Sequence, residues 1–466
     1  MATQRFSQLS AVERAAALVD PGTLTLLASN GGARTSAVTA RGRLDGRDVV
    51  LMLTDGRYRG GTIGTAEARQ FSQALGVAER RRMAVIVCWD TGGVRVQEGP
   101  AALAATSAVG VALARVALQC GPSLAVISEP RGCFGAPAVV AALGHATLMT
   151  RGALWGLTGP QLLEGAAEAA ARAVMSASAR QSQRHASAVD DSPTAIRREL
   201  ARRLAEPLRR VGPQRVLERC VTVTTALIAQ LPAGAAAVAA ATPSRRRRDF
   251  FAYSFRHQWQ PLGPIIRRGH IQAAWGKLDG TPAMGIIVGP ERPQEGIGVA
   301  DAHTILEAVR LAAATSRGDP APIIMFLFCR GHATTLDEER AGLPRALAAW
   351  LKGLVTARLL GHPLVSVLGG GAYGAAYLTL AAPSHRVLAI RGTAVAPMAP
   401  RVLSAFQRLR GVRDAAETPP ALARMIPDIR IVESVVRLPR ALGEELAVAR
   451  RAASAVPPVR RVIDMG

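Results

Sequence analysis

The sequence predicts an α/β protein made of two tandem copies of one domain, each wound as a superhelix of strand–strand–helix (ββα) units. Three observations indicate this fold class. The chain repeats its own motifs, it alternates apolar runs of strand length with helical segments, and glycine-rich turns follow several of those runs. Its 466 residues, 49% hydrophobic and 20% charged, are enough for two domains with buried cores.

The internal repeat is the strongest of these observations. Four motifs recur in the same order and at nearly constant spacing: LDG at Leu44–Gly46 and Leu278–Gly280, the turns ending at Gly64 and Gly298, RGCFGAP from Arg131 with GGAYGAA from Gly370, and HATLMTRGALWGLTGP from His145 with HRVLAIRGTAVAPMAP from His385. The repeat predicts an N-terminal domain at 1–225 and a C-terminal domain at 255–466. An Ala- and Arg-rich linker at 226–254 joins them.

Both copies have the same predicted order of elements: hairpin, helix, buried strand, helix, buried strand, glycine turn, short helix and strand. In the first copy the segments are Ser36–Ala40, Val49–Thr54, Thr65–Arg82, Ala84–Trp89, Ala101–Leu118, Leu124–Ile127, Ala136–Leu143 and Thr147–Met149. In the second they are Ile271–Trp275, Ala283–Val288, Val299–Arg317, Ile323–Cys329, Leu336–Leu360, Leu364–Leu368, Ala375–Ala381 and Arg386–Ala389. Ser10 and Glu13 form a capping box that predicts a further helix near the N-terminus. An ordinary doubly wound nucleotide-binding sheet is the alternative, but neither GxGxxG after a first strand nor GxxxxGK[ST] occurs.

The charge balance is strongly basic, with 57 Lys+Arg against 34 Asp+Glu and a formal net charge of +23. Such a balance is typical of proteins that bind nucleic acid or a membrane surface. However, the arginines are spread along the whole chain, and only Lys277 and Lys352 are lysines. We therefore expect phosphate-bearing or acidic partners, and nucleic acid is the less favoured one.

The cysteines and the apolar segments indicate in which cellular compartment the protein is expected. Cys88, Cys120, Cys133, Cys220 and Cys329 form no CxxC pair, so we expect neither a disulfide framework nor a zinc ribbon, and a reducing cytoplasmic compartment fits best. No secretory signal is expected at the N-terminus. Val221–Thr242 is long enough to span a bilayer, but its Ala, Thr and Pro content favours a helix that runs into a linker, and no membrane partner is expected.

Two glycine-rich turns in each copy follow buried strands: DTGGVRVQEG from Asp90 and EPRGCFGAP from Glu129, then CRGHATTLDEE from Cys329 and LGGGAYGAA from Leu368. A strand that runs through glycine into a helix N-terminus points free N–H groups at one spot, where they stabilise negative charge. If that charge develops on a carbonyl oxygen, the site is an oxyanion hole. Alternatively, the turns are tight connections without chemistry.

Four side chains in or near these turns are candidate site residues. His332 can act as an acid or an anion ligand, or it is a surface turn residue. Glu98 can orient a substrate or a backbone turn, or it is a solvated residue that opens the next helix. Tyr373 and Cys133 lie inside the turns, where packing at a helix start is the alternative and the preferred one for Cys133. No GxSxG elbow or HExxH motif is present.

The motifs resemble the subunits of biotin-independent malonate decarboxylase. FSQLSAVERAAALVD, GRLDGRDVVLMLTDGRYRGGTIG, DTGGVRVQE, GCFG and LMTRGALWGLTGPQLLE resemble its β subunit over most of residues 6–165. GIGVADAHTILEAV, the segment from Leu343 through LGGGAYGAAYL, and RVLAIRGTAVAPMAP are similar to its γ subunit. The chain thus resembles a β–γ fusion. The resemblance implies two tandem crotonase/ClpP-like ββα superhelix domains of the carboxyltransferase type.

The resemblance also implies a reaction, in which malonyl carried as a thioester on an acyl carrier protein loses CO2. Backbone oxyanion holes then hold the enolate. By motif, the holes come from Gly92, Gly93, Gly132, Cys133, Phe134 and Gly135 in the first copy and from Gly370, Gly371 and Ala372 in the second. Glu98 falls where the β motif carries its Glu. Tyr373 and His332 are candidates for the acid that protonates the enolate, with bulk water as the alternative.

Cofactors and partners follow from the same resemblance. No metal and no directly bound cofactor is expected, since the substrate arm is the CoA-like, phosphopantetheine-type group of the carrier. Expected partners are an acyl carrier protein subunit, an acyl-carrier transferase (α-like) subunit and further copies of this chain. The γ-type motifs are altered at Cys329–His332 and at Gly371–Gly374. Two alternatives therefore stay open: an acyl-CoA carboxyltransferase of the same superfamily, and a catalytically silent scaffold that binds a carrier protein or nucleic acid.

Overall fold

The computed structural model describes residues 4–27, 35–233, 259–263, 265–278, 280–289, 296–316, 319–328, 331–409, 426 and 428–464. The chain forms two compact units. Unit 1 comprises 1–211, 334–348 and 461–466, and unit 2 comprises 212–333 and 349–460. Both have the predicted mixed α/β architecture.

Unit 1 is built on a seven-stranded sheet with strand order β1 to β7. Strands β1 to β3 are antiparallel and β3 to β7 are parallel. The strands are β1 Thr25–Leu26, β2 Ala37–Leu44, β3 Arg47–Thr54, β4 Ala84–Trp89, β5 Ser123–Ile127, β6 Ala146–Thr150 and β7 Ser187–Val189, and a separate two-stranded pair is formed by β8 Arg210–Val211 and β19 Val462–Ile463. The predicted hairpin and the two buried strands are confirmed.

Helices cover both faces of this sheet, which explains why its central strands are apolar throughout. The helices are α1 Ala11–Leu18, α2 Thr65–Arg81, α3 Gly99–Gln119, α4 Ala136–Ala141, α5 Glu168–Met175, α6 Ala177–Ser182, α7 Pro193–Ala205 and α10 Leu336–Ala341. One core layer packs α1 and α7 against the sheet. The predicted capping box of α1 is present, since Ser10 and Glu13 each accept the other's amide.

Unit 2 repeats this pattern. The strands are β9 Trp259–Pro261, β10 Ile266–Arg268, β11 Ile271–Leu278, β12 Thr281–Val288, β13 Ile323–Leu327, β14 Leu364–Leu368, β15 Gly371–Tyr373, β16 Arg386–Ile390, β17 Ala394–Ala396 and β18 Ile429–Val432. The helices are α8 Pro213–Ile228, α9 Val299–Thr315, α11 Leu343–Leu359, α12 Pro400–Leu409 and α13 Leu438–Ser454. Strands β12, β13, β14, β16 and β18 run parallel. The antiparallel β11–β12 hairpin precedes them, as in unit 1.

Two predicted helices of the second copy differ in the structure. The segment 336–360 forms two helices, α10 and α11, because Gly342 ends α10 in the left-handed region with φ 92°. The segment 375–381 contains a π-helix at Tyr377–Ala381. The segment 334–348, which contains α10 and the start of α11, belongs to unit 1, and the rest of α11 belongs to unit 2.

The compact units do not follow the two predicted domains residue by residue. Helix α8, placed in the first domain by the sequence, packs against α9 in unit 2. Most of the predicted linker lies outside the described residues, so the division at 226–254 stays a prediction. Residues 234–242 of the apolar stretch Val221–Thr242 also lie outside the described residues. Residues 221–228 of that stretch form the end of α8.

The membrane question concerns a different helix. Val96–Gln119, which includes α3, is the one described helix that is long and apolar enough to cross a bilayer, and 61% of an 18-residue apolar window within it is buried inside the protein. Helix α3 packs against α2 and α4. It therefore has the character of a core helix.

Candidate active site

The two glycine turns of unit 1 meet at the carboxyl ends of β4 and β5. Gly93, in the first turn, has φ +114°, and a Cβ placed on it would lie 3.3 Å from the carbonyl oxygen of Phe134 in the second turn. A Cβ on Gly135 would lie 3.6 Å from Gly93 Cα. Glycine at both positions therefore permits the two main chains to approach each other closely. This confirms that the predicted turns come together.

Most of the predicted donors in these turns are already used. The amides donate within unit 1 as follows: Gly92 to Gly60 O (2.9 Å), Gly93 to Thr91 Oγ1 (3.1 Å), Gly132 to Ser128 O (3.1 Å), Cys133 to Leu154 O (2.9 Å) and Gly135 to Leu157 O (3.0 Å). The prediction of these five as free oxyanion donors is therefore corrected. Their hydrogen bonds shape the turns.

Several amides of these turns make no hydrogen bond to any described part of the chain, among them those of Val94 and Phe134, which are next to the two glycines that approach each other. The Val94 amide points away from Ile63. Ile63 instead donates its amide to Gly93 O and accepts the Arg95 amide at its carbonyl. Phe134 belongs to the predicted set, whereas Val94 does not. Only the hydrogen-bond pattern separates donors from turn-forming amides, so the sequence carries no signal for Val94.

Gly132 has a packing role. Its φ is +79°, and a Cβ on it would lie 2.2 Å from the Leu154 carbonyl oxygen. Cys133, next to it, is fully buried, and burial raises the pKa of its thiol well above the usual range. The thiol is therefore protonated and unreactive at neutral pH, which agrees with the preferred packing role.

A buried ion pair supports the first turn from behind. The Arg14 guanidinium lies 3.3 Å from Asp90 Oδ2, and both side chains are at most 1% exposed. Asp90 also accepts the amides of Gly56 (3.1 Å) and Arg131 (3.0 Å). Burial raises the pKa of Asp90, although Arg14 opposes that shift. Arg14 gives no recognisable signal in the sequence, because it lies on a short amphipathic helix among other charged residues.

Glu98 orients backbone, one of its two predicted roles as a site residue. Its carboxylate accepts the amide and the hydroxyl of Thr65, both at 2.8 Å, and pairs with Arg95 at 2.7 Å. Arg95 bridges to the buried Glu67 at 2.7 Å. Burial raises the pKa of Glu98, but the bonds from Thr65 and Arg95 outweigh it, so the pKa is lowered. The carboxylate is ionised and serves as a support for the start of α2.

The turns of unit 2 have the same backbone pattern. Ile297 donates to Gly331 O (3.0 Å) and accepts from Ala333 N (2.9 Å), as Ile63 does with Gly93 and Arg95. His332 thus takes the place of Val94, and Tyr373 takes that of Phe134. Gly331, with φ +132°, lies against Tyr373, and the His332 ring lies within 4.0 Å of a Cβ placed on Gly374. The structure therefore brings the predicted residues His332 and Tyr373 together within this unit.

Burial lowers the pKa of His332 to about 4. The imidazole is neutral at pH 7, with one nitrogen protonated. It can accept a proton or donate one N–H, but it carries no positive charge for binding an anion. The preceding residues, Cys329 and Arg330, lie outside the described residues.

The predicted second hole at 370–372 is only partly available. Gly371 and Ala372 form β15 and pair with β17, and the ring of Tyr373 covers Gly371, where a Cβ would lie 2.3 Å from it. The Gly374 amide donates to Ala396 O at 2.9 Å, so by alternation along the ladder the Ala372 amide also faces β17. The Gly370 amide has no acceptor within the described residues.

Metal binding has no support from side-chain clusters. Among the described residues, no group of three or more His, Cys, Asp or Glu side chains is arranged to hold a metal ion. The cysteines at 88, 120, 133 and 220 are free thiols.

Comparisons with known proteins agree with this architecture. Residues 7–187 match the family model of the carboxyl transferase domain, and residues 293–456 match that of the malonate decarboxylase gamma subunit. Both matched regions are therefore of carboxyltransferase type. The chain joins a carboxyl transferase domain to a malonate decarboxylase gamma-type domain in one polypeptide, and the resemblance inferred from the motifs is confirmed.

Individual relatives include carboxylase subunits and a solved malonate decarboxylase. A probable biotin-dependent acyl-coenzyme A carboxylase beta3 subunit of Mycobacterium tuberculosis is 26% identical over 91% of this chain and 84% of the relative. The acetyl-coenzyme A carboxylase carboxyl transferase subunit beta of Opitutus terrae is 32% identical over 28% of this chain and 45% of the relative. The solved MdcD–MdcE hetero-dimer of Pseudomonas malonate decarboxylase is 32% identical over 43% of this chain and 88% of that chain, with a TM-score of 0.38.

Proposed function

We propose that this chain is the decarboxylase component of a malonate decarboxylase and that it converts a malonyl thioester into an acetyl thioester and CO2. One observation carries the proposal: the Val94 and Phe134 amides, one from each glycine turn, have no described acceptor where the turns meet. The gamma-type match of the second half supports malonate as the acyl precursor.

The chemistry needs a place for negative charge. When the bond between Cα and the carboxylate breaks, its electron pair moves into the thioester carbonyl, an enolate forms and CO2 leaves. A proton then adds to Cα to complete the acetyl group. Preorganised amides at the enolate oxygen lower the barrier by about 3 kcal/mol each. We assign that role to Val94 and Phe134. The assignment of Tyr373 or His332 as the acid stays a prediction.

The substrate arm and partners belong to the same proposal. A phosphopantetheine-type arm on an acyl carrier protein would bring the malonyl group to the turns, and no biotin would be involved. The net charge of +23 suits an acidic carrier. An acyl-carrier transferase subunit, assembly with further copies of the chain and a cytoplasmic location complete the proposal.

A second candidate is an acyl-CoA carboxyltransferase that exchanges a carboxyl group with biotin. The relative that favours it is the M. tuberculosis beta3 subunit, because the similarity extends over 91% of this chain. In that reaction the same amides would hold the acyl-CoA enolate while it takes up the carboxyl group.

One assay separates the two candidates. The purified chain is incubated with malonyl-CoA or a malonyl-carrier protein, and the acyl thioesters are followed by mass spectrometry with and without free biotin. Our proposal expects biotin-independent formation of acetyl thioester with release of CO2. Turnover only in the presence of biotin would favour the carboxyltransferase. No turnover with any malonyl thioester, together with salt-sensitive RNA binding, would contradict both and favour the scaffold.

A further inference from the structure

A second buried ion pair in unit 1 lies beside the glycine turns, and the proposed mechanism does not use it. Arg180 and Glu339 are 1% and 0% exposed, and Arg180 Nη2 lies 3.4 Å from Glu339 Oε2. Arg180 Nη1 also donates to the Glu339 carbonyl at 2.8 Å. Glu339 comes from the second half of the sequence, but its helix, α10, belongs to unit 1. The pair is therefore internal to the unit that carries the Val94 and Phe134 amides.

Both partners bind one short segment, 154–158. Glu339 Oε1 accepts the amides of Leu157 at 2.7 Å and Thr158 at 2.8 Å. Arg180 donates to the Trp155 carbonyl through Nε at 3.2 Å and Nη2 at 2.9 Å, and its guanidinium lies 5.8 Å from the centre of the Trp155 ring. The segment is thus anchored at three backbone positions, 155, 157 and 158.

The other edge of this segment pairs with the second glycine turn. Cys133 donates to Leu154 O at 2.9 Å, Gly156 donates to Cys133 O at 3.2 Å, and Gly135 donates to Leu157 O at 3.0 Å. These bonds hold the residues on each side of Phe134. Leu157 therefore links Glu339 on one side to Gly135 on the other, and a shift of the segment would move the Phe134 amide.

The energetics argue against a purely stabilising role. Burial raises the pKa of Glu339 and lowers that of Arg180, so each charge is costly without its partner. Well-packed apolar residues in place of a buried pair are often neutral or stabilising. What an apolar pair would lack here is the acceptor for the Leu157 and Thr158 amides and the donor to Trp155.

We infer that Arg180 and Glu339 are positioning residues that fix segment 154–158 and, through it, the Phe134 amide at the reacting carbonyl. The inference rests on the proposed oxyanion role of Phe134. Glu339 lies in the second half of the sequence but supports the Phe134 amide of unit 1. The site at the unit 1 turns is therefore complete only when α10 is packed in unit 1.

The test uses the full chain and compares the double variant R180M/E339M with R180M/E339Q. Both remove the charges, but the Gln side chain keeps an oxygen that can accept the Leu157 and Thr158 amides. Asp337→Asn is the control, because Asp337 pairs with Arg340 on the same helix at 2.8 Å and is half exposed. Turnover of malonyl-CoA, melting temperature and hydrogen exchange at 154–158 are measured for each.

We expect R180M/E339M to lose the exchange protection at 157–158 and to show a kcat reduced by about 10²-fold with KM unchanged. R180M/E339Q should recover most of that loss at a similar melting temperature, and D337N should behave as wild type. Equal kcat and equal protection in the two double variants would overturn the inference. If R180M/E339M does not fold, Glu339→Asp takes its place, since it keeps the charge but withdraws the oxygens by one methylene. Wild-type kcat in E339D would then overturn it.

The proposed function and this inference fail in different ways. A wild-type chain without turnover contradicts the function, and hydrogen exchange still tests the positioning role. Loss of protection at 157–158 in R180M/E339M, restored in R180M/E339Q, supports it without any activity measurement. Unchanged protection in both variants contradicts it.

Discussion

The glycine turns of units 1 and 2 share a backbone pattern and differ in the side chains that it presents. In unit 1 the pattern presents Val94 and Phe134, which bring only their amides to the site. In unit 2 the corresponding positions are His332 and Tyr373, which bring an imidazole and a phenol. The two units therefore share this hydrogen-bonded backbone, and they differ in the side chains at these two positions.

The support behind the turns differs as well. In unit 1, Asp90 follows β4, and its buried carboxylate binds the Gly56 and Arg131 amides. In unit 2 the residue that follows β13 is Phe328, whose ring packs where a Cβ on Gly369 would lie. A network of charge-assisted hydrogen bonds thus supports the first turn, whereas the residue at the matching position in unit 2 contributes an aromatic ring packed against Gly369. Substitutions in the two units should therefore fail in different ways.

The largest expected effect comes from Gly132→Ala in unit 1. The added Cβ would lie 2.2 Å from the Leu154 carbonyl oxygen, so main chain must move, and we expect a loss of stability of about 4 kcal/mol or more. Gly22→Ala is the matched control, because Gly22 also has a positive φ but has no atom within 4 Å of its Cβ position. That variant should lose about 1–2 kcal/mol. Urea unfolding measures both, and equal losses would show that the close approach at Gly132 is unimportant.

Arg14→Met is expected to have the next largest effect. It leaves the Asp90 carboxylate buried without its partner, which costs about 3–5 kcal/mol. The control is Arg57→Met, which breaks the more exposed pair with Asp55 and should cost about 0–1 kcal/mol. Thermal unfolding compares them. A similar small loss in both variants would mean that the buried Arg14–Asp90 pair does not stabilise unit 1 more than a surface ion pair does.

His332→Val places the unit 1 residue in the unit 2 turn and should change the response to acid. The folded-state pKa is about 4, below the usual 6.5, so the unfolded chain binds more protons between these values. Stability is therefore full above pH 6.5 and falls toward pH 4, by at most about 1.4 kcal/mol per pH unit from this group. The variant should show a shallower fall in urea unfolding at pH 4 to 7. An unchanged slope would contradict a partly buried His332 that is neutral at pH 7.

The central strands were predictable because they are almost entirely apolar and recur in the second copy. The Ser10–Glu13 cap was also predictable, since capping is local in sequence. The end of α10 at Gly342 was not predictable, because the sequence around Gly342 is equally compatible with one uninterrupted helix. The hydrogen bond between Glu339 and the Leu157 amide was not predictable either, because the two residues are far apart in the sequence and belong to no common repeat pattern. The choice of Phe134 over Gly132 or Gly135 depends on which amides the fold has already satisfied, and that is a property of the tertiary structure.

The central claim is that the Phe134 amide is free to bind the enolate oxygen. Replacing Phe134 by phenyllactic acid turns this amide into an ester and removes the N–H while keeping the side chain. The Phe134 N–H makes no hydrogen bond within the described residues, so only the bond from Gly156 to the Cys133 carbonyl is weakened by the ester, and the melting temperature should fall only slightly. Malonyl-thioester turnover should fall by about 10²–10³-fold, whereas Phe134→Leu, which keeps the N–H, should retain most of it. Wild-type turnover in the ester variant would contradict the claim.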